Sequence, residues 1–172
     1  MTTTEVLAGY RVLAIAPDVV AGLMSCDDAG RAPRLEINAE GERPPLRCCL
    51  RCARPGEAIA LASYAPLRRW AAGAGVDPGP YDEVGPVFVH PSPCAGPSGD
   101  LFPAEMLGSP RVFRAYGAEG RILFGRLTTA DELADASGAE RVLGEVFADP
   151  RVAVVHARAV EFGCFTFEVR RR

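Results

Sequence analysis

The chain has 172 residues with 22 acidic and 19 basic side chains, a net charge of −3, and every basic residue is an arginine. Without a lysine amine there is no side chain for a Schiff base, a pyridoxal phosphate anchor or the phosphate-cradling lysine of a P-loop. A composition that is 48% hydrophobic suits a globular protein of one domain over residues 1–172, lacks the basic stripe of a nucleic-acid binder, and contains no apolar run near the roughly 20 residues of a membrane span.

Tyr10–Ala16 (YRVLAIA) predicts a short strand, followed by a helix at Pro17–Met24 with Pro and Asp in its first turn. A polar loop over 25–34 leads to a brief strand at Leu35–Ile37. Residues 40–55 mix Arg, Pro and Cys without a clean period and are assigned as irregular, while Glu57–Tyr64 (EAIALASY) predicts a strand. The stretch 71–86 is rich in Gly and Pro, which predicts a long surface loop feeding the strand Val87–Val89. A second loop spans 91–103, and long irregular segments of this kind often carry function.

Arg111–Tyr116 and Arg121–Leu127 flank Gly117–Gly120, the pattern of a hairpin. Thr128 or Thr129 is placed as the cap of a helical region in which Val142, Leu143, Val146 and Phe147 share one face before Pro150 stops it. Val152–Ala159 and Cys164–Arg170 close the chain as a second hairpin. Strands joined by short turns outnumber helices, so the fold class is α+β, with a mostly antiparallel sheet and helices packed on one face.

Side chains alternate along a strand, which sorts each strand into two faces. Val155, Ala157 and Ala159, with Phe165, Phe167 and Val169, belong to the side that meets the helices. The other side then holds His156, Arg158, Cys164, Thr166, Glu168 and Arg170, joined by Arg114 and Tyr116 from the earlier hairpin, with His90 at the end of its own strand. Such a face either is a solvated polar surface or forms a site in which arginines bind an anion and a histidine moves protons.

Three kinds of chemistry compete for these residues. Acid–base work assigns proton transfer to His156 or His90, hydrogen-bond donation to Tyr116 or Tyr81, and anion binding to Arg114, Arg158 and Arg47. A cysteine nucleophile, Cys164 or Cys94, pairs with one of the histidines in a second reading. In a third, His90, Cys94, His156 and Cys164 hold zinc or another transition metal. Cys49-Leu-Arg-Cys52 is an isolated C-x-x-C with no second pair to complete a zinc site and no strand-to-helix setting for a redox pair. Rossmann, α/β-hydrolase and zincin motifs are absent.

Arg47 with Leu50 and Pro55-Gly56-Glu57, Pro80-Tyr81 before Gly85-Pro-Val-Phe-Val89, Arg114-Ala115 before a hairpin, and His156-Ala-Arg158 before Gly163-Cys164 form an ordered set. On these residues the chain resembles a bacterial family known as domain of unknown function 1203. Leu46 and Cys49 stand where that family carries cysteine and serine, and Ala159 stands where it often carries asparagine. The resemblance implies no reaction, but it directs attention to Arg47, Tyr81, Arg114, His156, Arg158 and Cys164.

The leading expectation is a small cytoplasmic enzyme acting on an anionic or carbonyl-bearing metabolite without a cofactor. The alternatives are a transition-metal protein and a non-catalytic ligand-binding or interaction protein. No partner among nucleic acids or membranes is expected. The cytoplasmic reading rests on a start, Met1–Glu5, without the basic and apolar regions of a leader, and on six cysteines read as reduced thiols.

Overall fold

A computed structural model describes residues 9–172; the Met1–Glu5 segment lies outside them. In chain order the strands are β1 (Tyr10–Leu13), β2 (Arg34–Ile37), β3 (Pro45–Leu46), β4 (Arg51–Cys52), β5 (Ala58–Tyr64), β6 (Gly85–Val89), β7 (Arg111–Tyr116), β8 (Ile122–Leu127), β9 (Val154–Ala159) and β10 (Phe165–Arg171). The helices are α1 (Pro17–Ser25), α2 (Pro66–Ala74) and α3 (Ala136–Phe147). The fold is α+β, as the pattern predicts, but its strands form two five-stranded sheets, ordered β1-β10-β9-β7-β8 and β2-β5-β6-β3-β4. All pairings are antiparallel except that of β3 with β6. No helix among the described residues is long and apolar enough to cross a membrane.

The expected apolar face of α3 is what builds the first core. Ala139, Val142, Leu143, Val146 and Phe147 are buried with Phe113, Ala115, Val155, Ala157, Phe167 and Val169 of the first sheet, and each large side chain so buried contributes about 1.5–3 kcal/mol. The helix begins later than the threonines suggest. Asp135 caps it by accepting the Gly138 amide at 2.8 Å, because the Thr128 hydroxyl is committed to Arg111, accepting its amide at 2.9 Å and donating to its carbonyl at 3.0 Å.

Helix α2 occupies a segment that overlaps the loop expected from residue 71. Pro66 starts it, Gly75 ends it in the left-handed region at φ 69°, and Leu67 and Trp70 pack on Tyr116 and Val154. Val154 and Val155 point to opposite faces of β9, so α2 covers the side that α3 leaves open. That side is therefore closed over Tyr116, Val154 and His156, while Arg114 and Arg170 keep part of their side chains in solvent. Helix α1 buries Val20 and Leu23 with Ile59, Ala60, Val87 and Val89 of the second sheet.

The two sheets meet at a fault in the final hairpin. Val155 pairs with Val169, His156 with Glu168 and Ala157 with Phe167, but the register shifts between Phe165 and Phe167 so that Phe165 opposes Arg158. A bulge reverses the facing of the residues beyond it. Phe165, expected beside Phe167, instead packs with the core of the second sheet, its ring 5.4 Å from that of Tyr64.

The link after α1 is closed by Asp27, whose Oδ1 accepts the amides of Ala29 (3.0 Å) and Arg31 (2.9 Å) and whose Oδ2 accepts that of Ser63 in β5 (2.9 Å). Desolvation raises this carboxyl, but the amides of Ser63, Arg31 and Ala29 outweigh it and bring it down to about 2. The stabilisation is thus complete above the unfolded value of 3.8 and is lost as pH falls through about 2. Asp27→Ala should lower stability by about 2–3 kcal/mol at neutral pH. In urea titrations its deficit against the wild type should shrink as the pH is taken below 3.8.

Candidate metal centre

Parallel pairing of Leu46 with Phe88, together with the Arg47 amide donating to the Phe88 carbonyl at 2.9 Å, sets the turn after β3 beside the end of β6. The turn is closed by the Leu50 amide on the Leu46 carbonyl at 2.8 Å, and Leu50 takes the left-handed φ of 59° that side chains other than glycine rarely adopt. Cys48 and Cys49 on this turn converge with His90 and Cys94, and their ligand atoms all lie within 4.8 Å of one another. His90 Nδ1 is 3.3 Å from Cys48 Sγ and 3.9 Å from Cys49 Sγ, and the His90 amide donates to Cys48 Sγ at 3.2 Å.

The far side of the imidazole is fixed as well. His90 Nε2 lies 2.7 Å from Glu57 Oε1, and Arg51 holds the same carboxylate at both oxygens, with Nη1 on Oε2 at 3.0 Å and Nη2 on Oε1. Arg51, the Arg54 amide and His90 keep Glu57 far below the usual carboxylate range. Within the thiol pair, the hydrogen bond between the two sulfurs is the main influence: it draws Cys49 down to about 6, helped by the Arg51 amide and His90, and pushes Cys48 up together with burial.

Zinc–sulfur bonds of about 2.3 Å and zinc–nitrogen bonds of about 2.0 Å place tetrahedral ligand atoms about 3.5–3.8 Å apart. The widest pair of this cluster has to close by roughly an ångström to meet that geometry. Three cysteines and one histidine are a ligand set that zinc takes in closed sites.

The residues singled out from the sequence separate into distinct places. His90 and Cys94 join the cluster; His156 and Cys164 do not. The partners of the two histidines do not overlap: His156 is fully buried between Tyr116 and Phe165, with ring centroids 4.9 and 5.2 Å away, and its Nε2 lies 3.2 Å from Glu168 Oε2 while buried Nδ1 has no partner. Arg114 and Arg158 do come together, but on the chain's own carboxylate: Glu83 Oε2 accepts from Arg114 Nη1 at 2.7 Å and from Arg158 Nη2 at 2.6 Å. Tyr116 is buried against His156, and Tyr81 is on the surface in the 3-10 turn Gly79–Tyr81.

Cys164 donates to the Phe162 carbonyl at 3.5 Å and lines a cavity with Arg47 and Cys52. Cys49 joins the Cys/His cluster, whereas Cys52 lines this cavity. Cys48, Glu57 and Arg51 are members of the centre that the sequence reading passed over. The adjacent cysteines and the short His90-Pro-Ser-Pro-Cys94 spacing were the available signal; their meeting depends on the β3–β6 pairing.

The fold and the cluster define an α+β protein of two mostly antiparallel sheets with a Cys/His group able to hold a metal. The chain belongs to the family described as protein of unknown function (DUF1203), which matches residues 44–171 and so includes every member of the cluster. No curated protein and no solved structure matches the chain.

Burial lowers the His156 pKa from 6.5, and Glu168 opposes this without reversing it. The unfolded chain takes up a proton at His156 as pH falls through 6.5 while the folded chain resists, so this residue makes the fold less stable on the acid side. In NMR titrations the His156 ring should keep its neutral pattern at pH 6.5, and half-protonation there in the intact fold would contradict the sealed position.

Proposed function

We propose that the protein binds a transition metal of the zinc type through Cys48, Cys49, His90 and Cys94. The observation that carries this reading is the convergence of three thiols and one imidazole on a single point. His90 also has the orientation that a ligand needs: Nδ1 faces the thiols, and Nε2 faces a carboxylate that fixes the ring and raises its basicity. Three thiolates around a divalent ion leave one net negative charge, beside the Arg51–Glu57 ion pair. Four protein ligands fill a tetrahedron and leave no open position, which favours a structural over a hydrolytic centre. The ion then cross-links the turn after β3 to the loop after β6, segments about forty residues apart.

Acid–base catalysis on a metabolite has less support. A general base has to reach the proton that it moves, and His156 has no exposed surface. Arg114 and Arg158 already share Glu83. The six free thiols suit a reducing compartment, and we place the protein in the cytoplasm on that ground.

Purified full-length protein should carry about one equivalent of zinc. Cobalt(II) added to the metal-free protein should give the thiolate-to-cobalt charge-transfer absorption of a tetrahedral site; absence of both overturns the proposal. Cys94→Ser should lower that absorption by about a third, one of the three thiolates being lost. Glu57→Gln keeps the four ligands but releases the carboxylate hold on His90, and should weaken metal affinity by about 10–100-fold in a competitive chelator titration.

A further inference from the structure

Arg47 and Arg111 are 4% and 8% exposed, and among the described residues neither has a carboxylate within ion-pair distance. This is unusual in a chain whose surface arginines repeatedly find one. Arg47 donates to carbonyls only, Nε to Phe165 at 2.8 Å and Nη1 to Pro45. Arg111 has still less: Nη2 reaches the thioether of Met106 at 3.5 Å, and Nε is buried with no partner. Both line one cavity of about 660 Å³, a size suited to a small molecule.

Two buried cations beside one another are costly, because each has lost its water and neither neutralises the other. A guanidinium presents a planar fork of donors matched to the two oxygens of a carboxylate. The rest of the lining describes the remainder of the occupant. Ile59, Leu61, Phe88 and Met106 give the cavity apolar walls, and Phe162, 82% exposed, stands at its edge. Glu36, Glu42, Glu105 and Glu161 also line it, all less buried than the two arginines and with Glu105 paired to Arg43, which disfavours a polyanion such as a nucleotide triphosphate.

We infer that this cavity binds a small organic monocarboxylate, with its carboxylate on Arg47 and Arg111 and its apolar body along Ile59, Phe88 and Phe162. The site is separate from the Cys/His centre and does not rest on the metal reading.

Benzoate is a suitable probe, with benzamide as its uncharged isostere and inorganic phosphate as a compact anion. Calorimetry and thermal melts of the as-purified protein should show saturable binding of benzoate at millimolar concentrations and none of benzamide. Arg111→Leu removes a buried unpaired charge, so it should leave the melting temperature of the free protein unchanged or higher while weakening benzoate at least tenfold. A residue kept only for structure would instead lower that temperature. Should Arg111→Leu fail to fold, the exposed Phe162→Ala variant replaces it, with several-fold weaker binding expected. Silence with benzoate, equal binding of benzamide, binding of phosphate alone, or unaltered benzoate affinity in a folded Arg111→Leu or Phe162→Ala protein would each overturn the assignment.

Discussion

The junction of the two sheets depends on one guanidinium. Arg47 follows β3, and its backbone bonds outward in two directions, the amide to Phe88 of β6 at 2.9 Å and the carbonyl to the Ile15 amide at 2.8 Å. Its side chain bonds in two more, to the carbonyls of Phe165 in the first sheet and Pro45 in the second. A lysine carries its three donors on one freely rotating nitrogen without a planar fork, so it does not hold two carbonyls on different strands in directions fixed in advance. Burial lowers the Arg47 pKa to about 10, which still leaves the group charged at neutral pH. The absence of lysine from the chain thus has a structural counterpart: here the cation serves as a strut, and its donors matter as much as its charge.

The Phe165 carbonyl is available to Arg47 because of the shift between Phe165 and Phe167. That shift rotates Phe165 into the second core and sets its ring edge-on to His156, with an interplanar angle of 90°. The polar side of the first sheet is consequently roofed by Phe165, Tyr116 and α2. Charges on it are matched internally, Arg170 to Glu168 and the two arginines to Glu83, and the neutral His156 adds a hydrogen bond to Glu168. What period-two sorting identified as a gathering of reactive residue types is real as a gathering, since Arg114 pairs with His156 across β7 and β9. Its charged groups are largely paired within the chain, while His156 Nδ1, Arg158 Nε and Thr166 Oγ1 are buried without a partner.

Local patterns gave the strands, both hairpins and the buried face of α3, because alternation and helical spacing are properties of neighbouring residues. They missed α2, whose Pro66 start, Leu67-Trp70-Ala71 spacing and Gly75 end were legible but lay against a Gly- and Pro-rich tail that drew the whole stretch toward a loop. Two sheets in place of one, and the minimal strands β3 and β4 within 40–55, arise from long-range pairing that leaves no periodic trace in two-residue segments. The same reason hides half of the Cys/His cluster. His90 and Cys94 stand out as ligand types, whereas Cys49 reads only as half of an isolated C-x-x-C and nothing in the spacing marks Cys48.

The turn from Arg47 to Leu50 explains why that adjacency is no obstacle. Closed by the Leu50 amide on the Leu46 carbonyl and ended by a left-handed residue, the turn lets four consecutive residues serve three environments. Arg47 points to the sheet junction and its cavity, Cys48 and Cys49 to His90, and Leu50 into the core beneath α3, where it is 4% exposed. The left-handed Leu50 costs about 1–3 kcal/mol in backbone strain, comparable with the roughly 1.5–3 kcal/mol that burying a leucine side chain contributes. Such a conformation persists only where its surroundings over-determine it. Here a core contact on one side and a guanidinium strut on another hold the turn, and the thiols on its third side are positioned as a by-product of that restraint, ready for a common ligand without any regular spacing in the sequence.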